Sequence, residues 1–378
     1  MDQTYEISLF LITYTILEMR NNHNYCVIMS GGVGSRFWPF SKEDKPKQFL
    51  DFFGTGRSLL QSTYDRFKKI VPPEHIFIVT NDAYAAMTKQ QLPELKDHQL
   101  LLEPLRRNTA PAIAFASYRI FAVDPNANII VAPSDHLILR EDQFASDMHS
   151  GLDFVAANPV LLTLGIRPSR PETGYGYIQV DGNDGQGIGR VKAFTEKPDL
   201  ELAKKFVESG EFMWNSGIFL WNVNSILEAF SSYLPDIVQK FDEGREYFNT
   251  PREKQFVDET FPFCANISID YGILEKADNV FVNISDFGWS DLGTWGALHE
   301  ISDRDENNNA NLQCKALFVE SNDNVVAMSD DKLVVIQGLD DYIVAESDNV
   351  LLICKKSEEQ RIKHFVTDVK FRYGDEYV

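Results

Sequence analysis

The chain has 378 residues, 44% of them apolar and 24% charged, an ordinary composition for a globular protein with one large domain and a smaller one. A formal charge of −20 excludes the coating of nucleic acid, because little in the chain would neutralise many backbone phosphates. It leaves room for a single nucleotide in a local positive pocket beside a divalent ion.

Four cysteines (Cys26, Cys264, Cys314 and Cys354) stand far apart with no Cys-x-x-Cys, so they read as reduced thiols of a cytoplasmic protein. At the N-terminus, residues 7–17 form an apolar run too short to cross a bilayer. Asp2 and Glu6 precede it where a secretory leader carries lysines. With Met19 just ahead of a polar stretch, residues 1–18 are expected to lie outside the working fold, within an N-terminal extension of residues 1–24. No transmembrane span is expected anywhere.

Residues 26–30 are a short apolar strand that empties into Gly31-Gly32-Val33-Gly34-Ser35-Arg36, with Lys47 following. Glycines let backbone N–H groups approach a phosphate chain with no Cβ in the way. The Walker pattern would need Gly-Lys-Ser/Thr to close this loop, and the Rossmann pattern would need a glycine where Phe37 stands. The alternative is a plain strand-to-helix turn.

Helical spacing over 58–69, 82–92, 110–122 and 142–157 alternates with strand runs at 75–80, 99–102, 128–132 and 160–164. Strands separated by helices imply crossover units and a parallel sheet, whose ligands sit at the strands' carboxyl ends. From about residue 165 the pattern becomes that of a mixed sheet, with strands at 174–180, 190–194 and 215–221 and helices near 223–247. A polar break at 303–309 separates an expected catalytic domain, 25–302, from 303–378. Five short strands between 316 and 354, with Asp-, Asn- and Gly-rich turns, predict a small β domain resembling one side of a β-helix, and a helix follows at 357–369. The fold class is therefore α/β: a Rossmann-like mixed, mostly parallel sheet flanked by helices, with a small C-terminal β domain.

Several residues could carry chemistry, and each has a plainer reading. Asp135 ends a strand beside Pro133, Ser134 and His136, where a carboxylate either meets Mg²⁺ near phosphates or closes an Asx turn. Asp291 lies between tryptophans and glycines, as a second metal carboxylate or as the N-cap of a helix beginning near Thr294. Glu196 and Lys197 close a strand, as sugar-hydroxyl acceptor and phosphate partner or as a surface turn. Gly174, Tyr175 and Asn215 have the composition of a sugar pocket, which core turns share. Glu103 to Thr109 could read a base edge or simply cap the next helix.

The order of these motifs resembles the sugar-1-phosphate nucleotidyltransferases. Gly31-Gly32-x-Gly34-x-Arg36, Pro46-Lys47-Gln48, Ser134-Asp135-His136, Gly174-Tyr175-Gly176, Glu196-Lys197-Pro198, Asn215-Ser216-Gly217 and Asp291 carry the likeness, which runs from about Tyr25 to the C-terminus. Pro46 to Leu50, Arg107-Asn108-Thr109-Ala110-Pro111 and Trp289-Ser290-Asp291 look like the guanylyltransferase branch.

The resemblance implies the nucleotide-diphospho-sugar transferase fold, GTP and mannose 1-phosphate as substrates, and Mg²⁺, with Mn²⁺ as a substitute. It assigns Gly31, Gly32, Gly34, Ser35, Glu103, Arg107, Asn108, Thr109 and Ser134 to the nucleotide, and Arg36, Lys47 and Lys197 to charge stabilisation in catalysis. Gly174, Tyr175, Glu196, Lys197 and Asn215 go to the sugar phosphate, and Asp135 and Asp291 to the metal. Ser30, Thr195 and Lys42 stand where alanine, valine and arginine are common, and none of these changes removes a charge or a metal ligand. A homodimer in the cytoplasm is expected, without the cupin-like isomerase domain of bifunctional members. Another sugar 1-phosphate, such as a heptose or fucose, or a non-catalytic homologue, are the alternatives. The second would be expected to lose Lys47, Asp135 or the glycine turn, and all are present.

Overall fold

The computed structural model describes residues 23–181, 187–328 and 332–378. The expected N-terminal extension lies outside them except for His23 and Asn24, which already belong to the fold. His23 Nδ1 lies 2.7 Å from Asp124 Oδ2, and Asn24 opens the first strand. The chain forms two compact units that do not follow its linear order. Among the described residues, one holds 23–31, Tyr64–Pro133 and Leu139–Trp289; the other holds Gly32–Thr63, Ser134–Ile138 and Ser290–Val378.

The first unit is built on a nine-stranded sheet. Its strands are β1 (Asn24–Ser30), β2 (Ile76–Asn81), β3 (Leu100–Glu103) and β4 (Asn128–Pro133). After the two-residue β5 (Leu137–Ile138) of the second unit come β6 (Leu161–Ile166), β7 (Gly176–Val180), β8 (Gly187–Glu196), β9 (Phe212–Asn222) and β10 (Val280–Ser285). The spatial order is β3-β2-β1-β4-β9-β6-β10-β8-β7, with β7 also paired to β9. Pairing is parallel among β1 to β4 and between β6 and β10. Antiparallel pairs join β9 to β4, β6 and β7, and β8 to β7 and β10, so seven of the nine strands run one way. The expected mixed, mostly parallel sheet is what the chain forms.

The front strands are apolar on both faces because helices cover both, as parallel sheets require. The helix Thr109–Phe121 is buried nearly throughout, and its run of alanines lets it lie close against the sheet and the helix Val223–Tyr233. In this unit the helix Glu253–Thr260, a π-helical turn at Asp270–Leu274 and β10 were not among the expected elements. β7 begins at Gly176 rather than 174, because the Glu172 carboxylate accepts the N–H of Gly174 at 2.9 Å and closes a turn there.

The second unit contains a coil of short parallel strands. β11 (Trp289–Ser290) precedes it in the chain; β12 (Ala310–Leu312), β14 (Val325–Met328) and β16 (Tyr342–Ser347) stack on one face, and β13 (Lys315–Val319) stacks with β15 (Leu333–Gln337) on another. β17 (Val350–Lys355) closes the first face antiparallel to β16. Corners are held by buried asparagines: Asn324 Nδ2 donates to Asn309 Oδ1 at 2.9 Å and to the Leu339 carbonyl at 2.7 Å. The expected β-helix-like domain is thus present. Its apolar face packs with Phe37, Trp38, Leu50 and Phe52 around Trp295, so the segment after the glycine turn shares a core with the coil.

Candidate active site

Within the second unit, Gly34 takes φ 74°, a left-handed conformation that a residue with a Cβ enters at a cost. A Cβ there would also stand 2.4 Å from the Cβ of Lys47. The missing side chain therefore lets Lys47 cross the turn, and the Lys47 N–H donates to the Val33 carbonyl at 3.0 Å. The ammonium, on a side chain only 4% exposed, reaches Asp135 Oδ2 at 2.9 Å and the Asp291 carbonyl at 2.7 Å. Burial raises the pKa of Asp135, but the charges of Lys47 and His136 and the hydrogen bond from Lys47 outweigh it, so the carboxyl ends below its usual range.

Asp291 is not the cap of the helix Trp295–Ile301. Thr294 fills that role, accepting the Ala297 N–H at 3.1 Å, while Asp291 Oδ1 accepts from the Gly293 N–H at 2.7 Å. The ammonium thus meets one carboxylate, that of Asp135, and the main-chain carbonyl of Asp291, both oxygen groups of the kind that Mg²⁺, a hard cation, takes as ligands. Among the described residues no set of three or more His, Cys, Asp or Glu gathers to hold a metal alone. Gly32 has open space where a Cβ would stand, so no protein contact requires glycine there.

Arg36 and Ser35 begin a short 3₁₀ turn, and Arg36 Nε donates to Gln360 Oε1 at 2.8 Å. Ser134 is buried, and its carbonyl accepts from Thr63 Oγ1 at 3.1 Å.

In the first unit Glu103 ends β3, and its Oε2 would lie 3.8 Å from a Cβ on Gly31. It is 6% exposed, and burial pushes its carboxyl up to about 7, against a smaller lowering by Arg106. No hydrogen bond reaches this carboxylate from the described residues. The loop after it is already engaged. Arg107 donates to the Pro262 carbonyl, Asn108 caps the following helix by accepting the Thr109 N–H, and Thr109 Oγ1 accepts from the Ile269 N–H at 2.9 Å. Glu103 is therefore the side chain of this loop with acceptor capacity to spare.

A second group of the first unit gathers at the carboxyl end of β8. Gly176 faces Glu196 in register, and a Cβ on it would stand 2.3 Å from Glu196 Oε2 and 3.3 Å from the Asn215 Cβ. A side chain at 176 would displace the Glu196 carboxylate and press on Asn215, so glycine keeps both in their present places. Lys197, at φ 49°, donates its N–H to the Tyr175 carbonyl at 3.1 Å and holds its ammonium 3.2 Å from Glu196 Oε1. Tyr175 itself is buried edge-on between Trp214 and Trp289, and Gly174 sits in the Glu172 turn. Asp270, absent from the sequence expectations, joins this group by accepting from Asn215 Nδ2 at 2.9 Å. The available signal was a lone carboxylate within the apolar run Ile267-Ser268-Ile269-Asp270-Tyr271.

Residues 25–308 match the family model described as nucleotidyl transferase, and residues 315–369 match a MannoseP isomerase/GMP-like beta-helix domain. A mannose-1-phosphate guanylyltransferase of Escherichia coli is 34% identical over 351 residues, covering 90% of this chain and 74% of that one. The xanthan biosynthesis protein XanB of Xanthomonas campestris is 35% identical, with 91% and 73% covered. Among solved structures, one described as a mannose-1-phosphate geranyltransferase from Thermus thermophilus superposes with a TM-score of 0.83 at 29% identity, covering 92% of this chain and 99% of that one. A mannose-6-phosphate isomerase from Helicobacter pylori gives 0.57 at 26% identity, covering 70% and 99%.

Proposed function

The chain belongs to the nucleotidyl transferase family, and on that premise we propose that it converts GTP and mannose 1-phosphate to GDP-mannose and diphosphate. The observation that carries this reading is the Lys47 ammonium, threaded past Gly34 to Asp135 and Asp291. It is a buried cation held between the Asp135 carboxylate and the Asp291 carbonyl, which a polyphosphate would use and a plain turn would not need.

A sugar-phosphate oxygen attacks the α-phosphorus of GTP in line, the new P–O bond forms, and the bond to the leaving diphosphate breaks. The nucleophile is already an anion, so no strong general base is required. Instead the meeting of two anions costs several kcal/mol unless cations and backbone N–H groups offset it. Lys47 and Arg36 supply positive charge toward the triphosphate, with the N–H groups of Gly31, Gly32, Gly34 and Ser35 and the Ser134 turn placed for the same nucleotide. Lys197 holds the sugar phosphate. Asp135 and Asp291 would hold Mg²⁺, or Mn²⁺ in its place, which when bound neutralises phosphate charge. Glu103 accepts from the N–H groups of guanine, while Arg107, Asn108 and Thr109 shape the loop around base and ribose. Glu196 and Asn215 bond sugar hydroxyls beside Gly174 and Tyr175.

Along the sequence we assign 25–302 to catalysis and 303–378 to the β domain. We place the chain in the cytoplasm as a homodimer; among the described residues no helix is long and apolar enough to cross a membrane. Sedimentation equilibrium tests the dimer, a single monomer mass being the result against it.

The test of function is diphosphate release from each nucleoside triphosphate against a panel of sugar 1-phosphates with Mg²⁺. Release from GTP with mannose 1-phosphate is expected. Release from GTP only with a heptose or fucose 1-phosphate would overturn the sugar assignment and keep the reaction. No release from any pair would remove both.

A further inference from the structure

Asp270 has no role in the reading above, yet it sits where that reading places the sugar. Its Oδ1 accepts from Asn215 Nδ2 at 2.9 Å. The other end of the amide is also taken: Asn215 Oδ1 accepts from Thr163 Oγ1 at 3.2 Å and from the Gly217 N–H at 3.2 Å. The amide therefore has one orientation, with its second N–H uncommitted among the described residues and Glu196 brought alongside by Gly176. The backbone that presents Asp270 is a π-helical turn, in which the Glu275 N–H returns to the Asp270 carbonyl at 2.9 Å. Such single-turn insertions displace one side chain from the helical path, often at functional sites. The turn is anchored next to the base-reading loop by Ile269 N–H to Thr109 Oγ1 and Ala110 N–H to the Ile267 carbonyl.

We propose that Asp270 is a positioning residue for the sugar 1-phosphate, holding the Asn215 amide in the one orientation that offers its free N–H to a sugar hydroxyl beside Glu196. This rests on the function proposed above. Burial and the neighbouring Glu196 carboxylate push Asp270 up to about 6, against lowering by the Asn215 hydrogen bond, its own backbone and Lys197, so it stays an anionic acceptor at neutral pH. The charged and titratable groups around it are Glu196 at the end of β8, Lys197 just after it, Tyr271 in its own turn and Glu275 at that turn's end. Neutralising Asp270 with an amide removes the acceptor-only partner of Asn215 Nδ2, because a carboxamide can present either a donor or an acceptor to it, and leaves only the Gly217 N–H and the Thr163 hydroxyl to orient the amide.

The experiment is a double-mutant cycle between Asp270→Asn and Asn215→Ala in the full chain, read by diphosphate release at neutral pH. Asp270→Asn is expected to raise KM for mannose 1-phosphate by about tenfold and to change KM for GTP by less than about twofold. In the Asn215→Ala background the same step is expected to change the sugar KM by less than about twofold, since the residue acts through that amide. Equal effects in both backgrounds, or equal rises in both KM values, would overturn the proposal while the function stood. Should Asp270→Asn fail to fold, Asp270→Ser is the second variant, with the same split in KM expected. If the unmodified protein releases no diphosphate with any sugar 1-phosphate, the function fails and this inference falls with it.

Discussion

Lys47 Nζ stands 2.9 Å from Asp135 Oδ2, joining two residues 88 positions apart into one ion pair in which the lysine is buried and the aspartate half-buried. Removing Asp135 leaves the buried Lys47 ammonium without its ionic partner, which is the expensive way to break such a pair. Lys47→Ala and Asp135→Asn are each expected to lower kcat by about a hundredfold or more, with far-ultraviolet circular dichroism unchanged. A kcat within about threefold of the parent in either variant would remove the pair from catalysis.

Gly34 and Gly32 separate two reasons for a glycine. At Gly34 a Cβ meets Lys47 at 2.4 Å in a left-handed backbone, whereas at Gly32 it meets nothing within 4 Å. Gly34→Ala is expected to cost about 1–2 kcal/mol of stability, seen in denaturant unfolding, and to lose activity through displacement of Lys47. Gly32→Ala is expected to unfold like the parent and to bind GTP about tenfold more weakly, as calorimetry would register. Normal GTP binding by Gly32→Ala would take that glycine out of the phosphate cradle.

Glu103 links stability to pH. Its carboxyl rises from 4.5 to about 7 in the folded chain, so folding favours the protonated form. The resulting stabilisation is fully present below pH 4.5 and is lost as pH rises through about 7. Glu103→Gln is neutral throughout, so it should gain on the parent as pH rises, by on the order of 3 kcal/mol at pH 8. Urea unfolding at pH 5 and pH 8 measures this, and a pH-independent difference would refute it. The same variant is expected to lose affinity for GTP above pH 7, where the parent offers guanine a carboxylate.

Arg36 donates to Gln360, so the C-terminal segment steers an arginine assigned to the triphosphate. Gln360→Glu places a carboxylate on that guanidinium and is expected to raise KM for GTP several-fold, leaving KM for mannose 1-phosphate near its parent value. An unchanged KM for GTP in that variant would show that Arg36 does not depend on residue 360.

The alternation of strands and helices was legible because apolar runs and helical spacing are local properties. β10 and the helix Glu253–Thr260 were not, since in one the apolar run is interrupted by Asn283 and the other has few apolar positions. Within the candidate site, Lys47, Asp135 and Glu196 were visible as charges at the ends of elements. Asp270 was hidden because its meaning depends on Asn215, which is remote in the chain and near it only through the fold.

By itself the sequence determined the kind of chemistry: a glycine turn with its own cations, separated carboxylates, and a family pattern carried by the order of motifs. Only the tertiary structure decided which side chains act together. It separated Asp291 from the helix cap that Thr294 provides, spent Asn108 on a local cap and Thr109 on a bond to Ile269, left Glu103 without a donor among the described residues, and brought Asp270 to Asn215. The physical reason is that residue type and spacing set what a group can do, while burial and hydrogen-bond partners, which only packing supplies, set what it is free to do.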